Sequence, residues 1–256
     1  MKIYMHEFNE YLGGLSHDDP AIQHKSVSGL AKYSNAEWQG TPDAIPSAVA
    51  ALVSASSRQR AAPPDGVFRA EAVKALGNIG TQSPAVLPAL LRLLQKDADG
   101  RVRTEAARAL GKIGEGAASA SRSIAAVLND PDSGETLRGA AAWALARVDP
   151  SSAGTSSSLH TAVDDRSGQV GVCAAEALWH VSREAGRAIL ALAARLGDPA
   201  AREAAAQALY RIGPAAKEAL PALLDAAKAK DRLFREAVLM AVRKIDPQAT
   251  VKARLN

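Results

Sequence analysis

The chain has 256 residues, 47% of them hydrophobic and only 4% aromatic, with a formal net charge of +4. That length and apolar content support a sizeable core of Ala, Leu and Val, and the scarcity of aromatics argues against a large aromatic-lined pocket. A single cysteine, Cys173, excludes a disulfide framework within the chain, and no apolar run approaches the roughly 18 residues of a membrane span.

Met1 to Glu7 lack the long apolar stretch of a secretory signal, so a cytoplasmic monomer without a cofactor is expected. Residues 1–16 predict a helix, centred on Ile3 to Gly14, that caps whatever follows. From residue 17 to 248 the chain repeats itself. A small residue followed by an apolar one closes a helix-spaced stripe at Gly29-Leu30, Ala75-Leu76, Ala109-Leu110, Ala144-Leu145, Ala177-Leu178, Ala208-Leu209 and Ala241-Val242. The second positions of these pairs are 46, 34, 35, 33, 31 and 33 residues apart. A period near 33 marks stacked helical repeats, none of which can bury its apolar face alone. The predicted fold is all-α: one domain, a right-handed α-solenoid of about six to seven helix pairs, with residues 249–256 as a tail.

The long first interval holds extra residues around Asn35 to Gly40 and around Ser57 to Asp65. The second stretch is polar, basic and proline-ended, and residues 57–65 are expected to project as a loop that can carry partner contacts. In the third unit Asp99 opens a helix that runs to Ile113 and stops at Gly114, followed by a second helix over 117–128. The fourth unit's second helix begins with the serine-rich run Ser151 to Ser158, whose low propensity predicts a short or frayed helix. The last unit is left without a full second helix.

Aligned on the closing Leu, the units form columns. Eight residues before it stand Ile22, Phe68, Val102, Leu137, Val170, Ala201 and Phe234, and four before it nearly all residues are small. Seven before it an arginine recurs at Arg69, Arg103, Arg138, Arg202 and Arg235, and an aspartate recurs one turn earlier at Asp19, Asp65, Asp99, Asp198 and Asp231. The aspartates suit helix N-caps, and the arginines are expected to pair with them or with those of a neighbouring unit. Two residues after the Leu runs a basic column, Lys32, Lys112, Arg147, Arg211 and Lys244 among its members, whose place in the last helical turn suits cations facing free carbonyls.

Val102 to Gly114 (VRTEAARALGKIG) and Phe68 to Gly80 (FRAEAVKALGNIG) resemble the first helix of HEAT-like repeats of the phycobilisome-lyase type, and the resemblance covers roughly residues 17–248. It implies the solenoid fold but little about function, since such repeats serve scaffolds, adaptors and a few enzymes. Deoxyhypusine hydroxylase, one such enzyme, binds iron through repeated His-Glu pairs; here the one such pair, His6-Glu7, lies outside the repeats.

Candidate partner-binding residues are the departures from the pattern. Trp143 stands in a column otherwise polar or charged, which predicts partial exposure. Trp179 takes the place of Gly77 and Gly111, with Tyr210 in the same place one unit on. Arg92, Arg122 and His160 fall on second helices, which line the concave face in HEAT-like stacks. Cys173, among alanines, reads as packing rather than as a nucleophile. With no catalytic constellation or metal-spaced cluster, the expected function is a non-enzymatic scaffold or adaptor that grips a protein partner through its concave face or the 57–65 loop. The alternatives are nucleic-acid binding of the DNA-glycosylase kind, motivated by a pI near 9.3, and a tetrapyrrole lyase or chaperone subunit, which rests on family resemblance alone.

The columns predict that Leu110→Asp, which buries an unpaired charge, unfolds at least the central repeats, whereas Arg103→Ala costs about 1 kcal/mol. Urea unfolding midpoints check this; comparable midpoints for the two variants would place the core column elsewhere.

Overall fold

In the computed structural model the described residues are 2–39, 42–57, 65–181 and 185–249, and every regular element among them is helical. Contacts divide the chain into two compact units, Met1–Asp149 and Pro150–Asn256. Residues 58–64 of the expected projecting loop and 250–256 of the expected tail lie outside the described residues.

The first unit comprises α1 (Lys2–Gly14), α2 (Pro20–Leu30), α3 (Asn35–Gln39), a 3-10 turn (Pro42–Ala44), α4 (Ile45–Ser57), α5 (Asp65–Ile79), α6 (Val86–Lys96), α7 (Gly100–Ile113), α8 (Ser121–Asn129) and α9 (Glu135–Val148). The first helices α2, α5, α7 and α9 pack side by side, and the second helices α4, α6 and α8 pack behind them. The closing column Leu30, Leu76, Leu110 and Leu145 is buried throughout, as are Val102, Leu137 and Ile79 from the other apolar columns. Close approach of neighbouring first helices depends on glycine directly after that Leu. A Cβ on Gly77 would lie 2.6 Å from the Ala109 Cβ, and one on Gly111 would lie 2.8 Å from the Ala144 Cα.

Glycine has a second use, in the turn between paired helices. Gly80, Gly114 and Gly213 follow an isoleucine at φ +62°, +70° and +71°, and Gly114 has ψ −141°. This is not the left-handed helical conformation of a common C-cap but a region essentially reserved for glycine. Where that glycine is lacking the exits differ: α2 ends at Ala31 in helical backbone, α9 at Asp149 (φ −149°, ψ 64°) and α15 at Asp246 in extended backbone.

The long first interval is structural where it is described. Asn35–Gln39 forms a short helix that buries Trp38 completely against Phe8 of α1, with ring centroids 5.0 Å apart and edge-to-face. Phe8 also meets Tyr33 at 5.1 Å. Asn35 Nδ2 donates to the carbonyls of Asn78 and Ile79, closing the end of α5. Truncating a buried aromatic of this kind costs about 3–5 kcal/mol.

The second unit comprises α10 (Ala153–Val163), α11 (Gly168–Val181), α12 (Ala185–Arg195), α13 (Arg202–Ile212), a 3-10 segment (Gly213–Ala219), α14 (Leu220–Ala226) and α15 (Arg232–Ile245). The serine-rich segment departs from expectation: it forms an 11-residue helix, α10, capped by Ser152, whose Oγ accepts from Gly154 N at 3.2 Å. Burial of Leu159, Ala162 and Val163 against the rest of the unit overrides its weak propensity. Trp179 and Tyr210 stand where the first unit has Gly77 and Gly111, and α11 touches α13 over a shorter stretch than α7 touches α9.

The aspartate column caps helices as expected: Asp19 accepts from Ala21 N at 2.8 Å, Asp99 from Arg101 N at 2.8 Å and Asp231 from Leu233 N at 3.0 Å. Each such cap is worth about 1 kcal/mol. The arginine column is different from the expected ladder. Arg202 does pair with Asp231 of the next unit, and Arg69 pairs with Asp97, two residues from the column. Arg103, Arg138 and Arg235 instead donate to the carbonyls of Leu94 (2.9 Å), Leu128 (2.9 Å) and Ala229 (3.0 Å), where the preceding second helix or its turn ends. Carbonyls in a last helical turn lack intrahelical partners and carry the negative end of the dipole, so they draw the guanidinium more strongly than a distant carboxylate. At Gly171, where the column lacks its arginine, Arg195 of α12 reaches the same kind of site and donates to Val163 O at 3.3 Å and Asp165 O at 2.9 Å.

Gly77→Ala is expected to lower stability by about 1–3 kcal/mol by forcing α5 and α7 apart. Gly100→Ala, where a Cβ would meet nothing within 4 Å, is expected to be neutral or slightly stabilising. Urea denaturation of the two variants measures the contrast.

Candidate functional site

The basic column lies across the joints between repeats. Asn78 Nδ2 donates to Ala31 O at 3.1 Å and Tyr33 O at 2.7 Å, reaching back one unit. Lys112 donates to the Asn78 side chain, and Arg147 Nε donates to Gly111 O at 3.0 Å. In the second unit Arg211 grips Glu176 with both arms of its guanidinium, at 2.8 Å through Nη2, and Lys244 sits 4.6 Å from the centroid of Tyr210. Of this column Asn78 and Arg147 meet carbonyls, those of the preceding unit rather than their own, while Lys112 meets an amide oxygen, Arg211 a carboxylate and Lys244 a ring.

Trp143 is 43% exposed. Its indole edge rests in the notch left by Gly111, and the Arg147 guanidinium lies 5.0 Å from the ring centroid. Both restraints come from the fold: Gly111 has no side chain to exclude the indole, and Arg147, one turn further along α9, is itself held by Gly111 O. Such a side chain is preorganised and loses little rotamer freedom on binding.

On the same side of the first unit the N-terminal halves of α5, α7 and α9 border an open groove of about 860 Å³. Its walls include Val67, Ala70, Arg101, Thr104, Arg108 and Leu137. Asp99 binds Arg101 through two hydrogen bonds, and the guanidinium hydrogen bonds hold its carboxyl below the usual range. Asp130 is likewise held low by the Ser133 hydroxyl at 2.8 Å and the Asp132 amide.

The remaining sequence candidates are dispersed. Arg92 on α6 is exposed and donates to the Ser57 hydroxyl; Arg122 on α8 is exposed; His160 on α10 is half-buried. Trp179 and Tyr210 are half-buried on α11 and α13. Cys173 is half-buried, and burial pushes its thiol up, so it is a poor nucleophile. Among the described residues no group of three or more His, Cys, Asp or Glu is placed to hold a metal ion, and no helix is long and apolar enough to cross a membrane. Sequence reading missed the groove residues Val67, Arg101 and Arg108, although the signal was present: they stand nine and two residues before the closing Leu, on the side of the helix that carries Trp143.

Residues 55–146 match the HEAT repeats family, and residues 201–229 match the PBS lyase HEAT-like repeat family. The chain is built of HEAT-like repeats. Among solved structures, a chain from the study of how Kap95p binding induces the switch loops of RanGDP to adopt the GTP-bound conformation aligns with a TM-score of 0.59 at 16% identity. That alignment covers 99% of this HEAT-like chain and 40% of the other. A designed armadillo repeat protein aligns with a TM-score of 0.47 at 22% identity, over 92% of this chain and 98% of that one. Human deoxyhypusine hydroxylase aligns with a TM-score of 0.37 at 19% identity, over 96% and 98%. No curated protein matches the sequence.

Asp99 and Asp130 have folded pKa values below their ordinary 3.8, so their contribution to stability is present above that value and is lost as pH falls through the lower, folded pKa. The HEAT-like stack is therefore expected to be less stable at a pH below the ordinary value of 3.8 than at pH 7. The Asp99→Asn/Asp130→Asn variant is expected to be less stable at pH 7 and to show a smaller acid-induced fall. Urea midpoints at the two pH values test this.

Proposed function

We propose that the chain is a non-catalytic protein-binding module, a scaffold or adaptor acting as a cytoplasmic monomer. The observation that carries this reading is Trp143, a large, exposed and preorganised aromatic on a rigid helical stack. Interface anchors are enriched in Trp and Arg held in this way. The fold adds support: Kap95p, in the structure aligned above, binds RanGDP. Further contacts are assigned to Trp179, Tyr210, Arg92, Arg122, His160 and the 57–65 loop.

A net charge of +4 favours a second reading, nucleic-acid binding. Anisotropy of labelled DNA and RNA at two salt concentrations tests it; absence of salt-sensitive micromolar binding excludes it.

For the protein-binding reading, native cross-linking of the wild-type chain and Trp143→Ala is the direct experiment. The variant is expected to keep its melting temperature and to lose partner recovery by tenfold or more, as for a hot-spot tryptophan worth about 2 kcal/mol. Equal recovery by both proteins, or none by either, would count against it.

A further inference from the structure

On each first helix, residues nine, five and two before the closing Leu and two after it point away from the buried side, because 3.6 residues make a turn. On α5, α7 and α9 every fully exposed charge in these four columns is a cation: Lys74, Arg101, Arg108, Lys112 and Arg147. The two glutamates there, Glu71 and Glu105, are half-buried and engaged, Glu71 with the Ser28 hydroxyl and His24, Glu105 with Arg108 at 3.6 Å. The partners of Lys112 and Arg147 are an amide oxygen and a carbonyl, which leave their charge uncompensated. Trp143 and Val67, the latter 38% exposed, stand in the same columns. The groove beside α7 opens on this face and has Val67, Ala70 and Leu137 in its walls.

The basic character does not belong to the repeat itself. In the second unit the same four columns hold Gln169, Glu176, His180, Gln207, Leu233 and Met240; Arg211 is neutralised by Glu176, and Lys244 lies over the Tyr210 ring. The cationic columns thus run from α2, with exposed Lys25 and Lys32, through α5, α7 and α9, and thin out in the second unit.

We infer that the outward face of α5, α7 and α9 docks an acidic, apolar-bearing segment of a partner protein, with carboxylates meeting Lys74, Arg108, Lys112 and Arg147, one apolar side chain entering the groove by Val67 and Leu137, and another resting on Trp143. This rests on the protein-binding reading and specifies its face and partner chemistry. Charge complementarity selects an acidic occupant. Two observations favour a peptide over a nucleic acid. The Trp143 ring already carries the Arg147 guanidinium on one side and rests its edge on Gly111, which leaves a poor stacking platform for a base. Five carboxylates, Glu71, Asp99, Glu105, Asp132 and Glu135, lie in the groove walls beside Arg101, Arg103 and Arg108; they oppose evenly spaced phosphates, whereas a peptide can keep its carboxylates on the cation columns and send only an apolar side chain into the groove.

The test is selection of random 12-residue displayed peptides on the full chain, followed by anisotropy of the best peptide, its Lys-for-Glu/Asp counterpart and a labelled 20-nucleotide oligo(dT). Enrichment of Asp and Glu beside Leu, Phe or Trp is expected, with binding that weakens as salt rises. Lys74→Glu/Arg108→Glu is expected to weaken the peptide at least tenfold while keeping the wild-type melting temperature, since neither side chain caps a carbonyl. Arg92→Glu/Arg122→Glu on the second helices is expected to change it less than twofold. Selected peptides without acidic enrichment, equal binding of the Lys counterpart, insensitivity to the Lys74/Arg108 reversal, or tighter binding of oligo(dT) would each overturn the inference. Loss of binding in Trp143→Ala together with no effect of charge reversal would overturn the acidic-partner inference while leaving the protein-binding reading intact. No effect of either would remove both.

Discussion

The absence of a side chain at Gly77 and Gly111 governs the geometry of the first unit. Without that Cβ, the next first helix comes close enough for Ala109 and Ala144 to sit against the preceding backbone. The arrangement then follows: alanines fill the narrow joint, the leucine column is sealed from water, and Asn78 and Arg147, two after their leucines, reach carbonyls at the end of the preceding first helix. These bonds are individually modest, about 1 kcal/mol each, but each one joins one repeat to the next, which is where a stack obtains its stability.

The same constraint prepares the exposed surface. Trp143 rests where Gly111 leaves room, and Arg147 covers it while holding the carbonyl of that glycine. Packing and presentation therefore share residues, and a substitution at Gly111 disturbs both. In the second unit Trp179 and Tyr210 occupy the glycine positions, α11 touches α13 over a short stretch, and the outward columns carry few uncompensated cations. One repeat pattern thus supports two different surfaces, because the outward positions are free to vary once the core columns are satisfied.

The helix pairs, their core columns and the capping aspartates were legible in sequence because each depends on local spacing. Three features were not. Trp38 drew no attention in a segment read only as extra residues of the long first interval, yet it anchors α3 against Phe8 of α1, a contact that passes over α2. The serine-rich stretch read as a weak helix, and burial of Leu159 and Val163 overrode its propensity. The arginine column read as one side of an ion-pair ladder, and three of its members cap carbonyls instead, because the nearest unsatisfied group was backbone. For the candidate site, Trp143 and its exposure followed from its column, while its seat on Gly111 and the groove beside α7 did not.

What the sequence by itself determined is the periodic part of this protein: a repeat near 33 residues, which face of each first helix is buried, and where helices begin and end. These are properties of a single helix and its neighbours in the chain, fixed by a 3.6-residue period and by glycine and aspartate at the ends. Only the tertiary structure decided which residues one repeat offers the next, that Arg195 stands in for the arginine missing at Gly171, and that Trp143 and five cations share one surface with a groove. Those relations join residues some 30 positions apart, and their geometry depends on how closely two helices pack, a distance that no local pattern encodes.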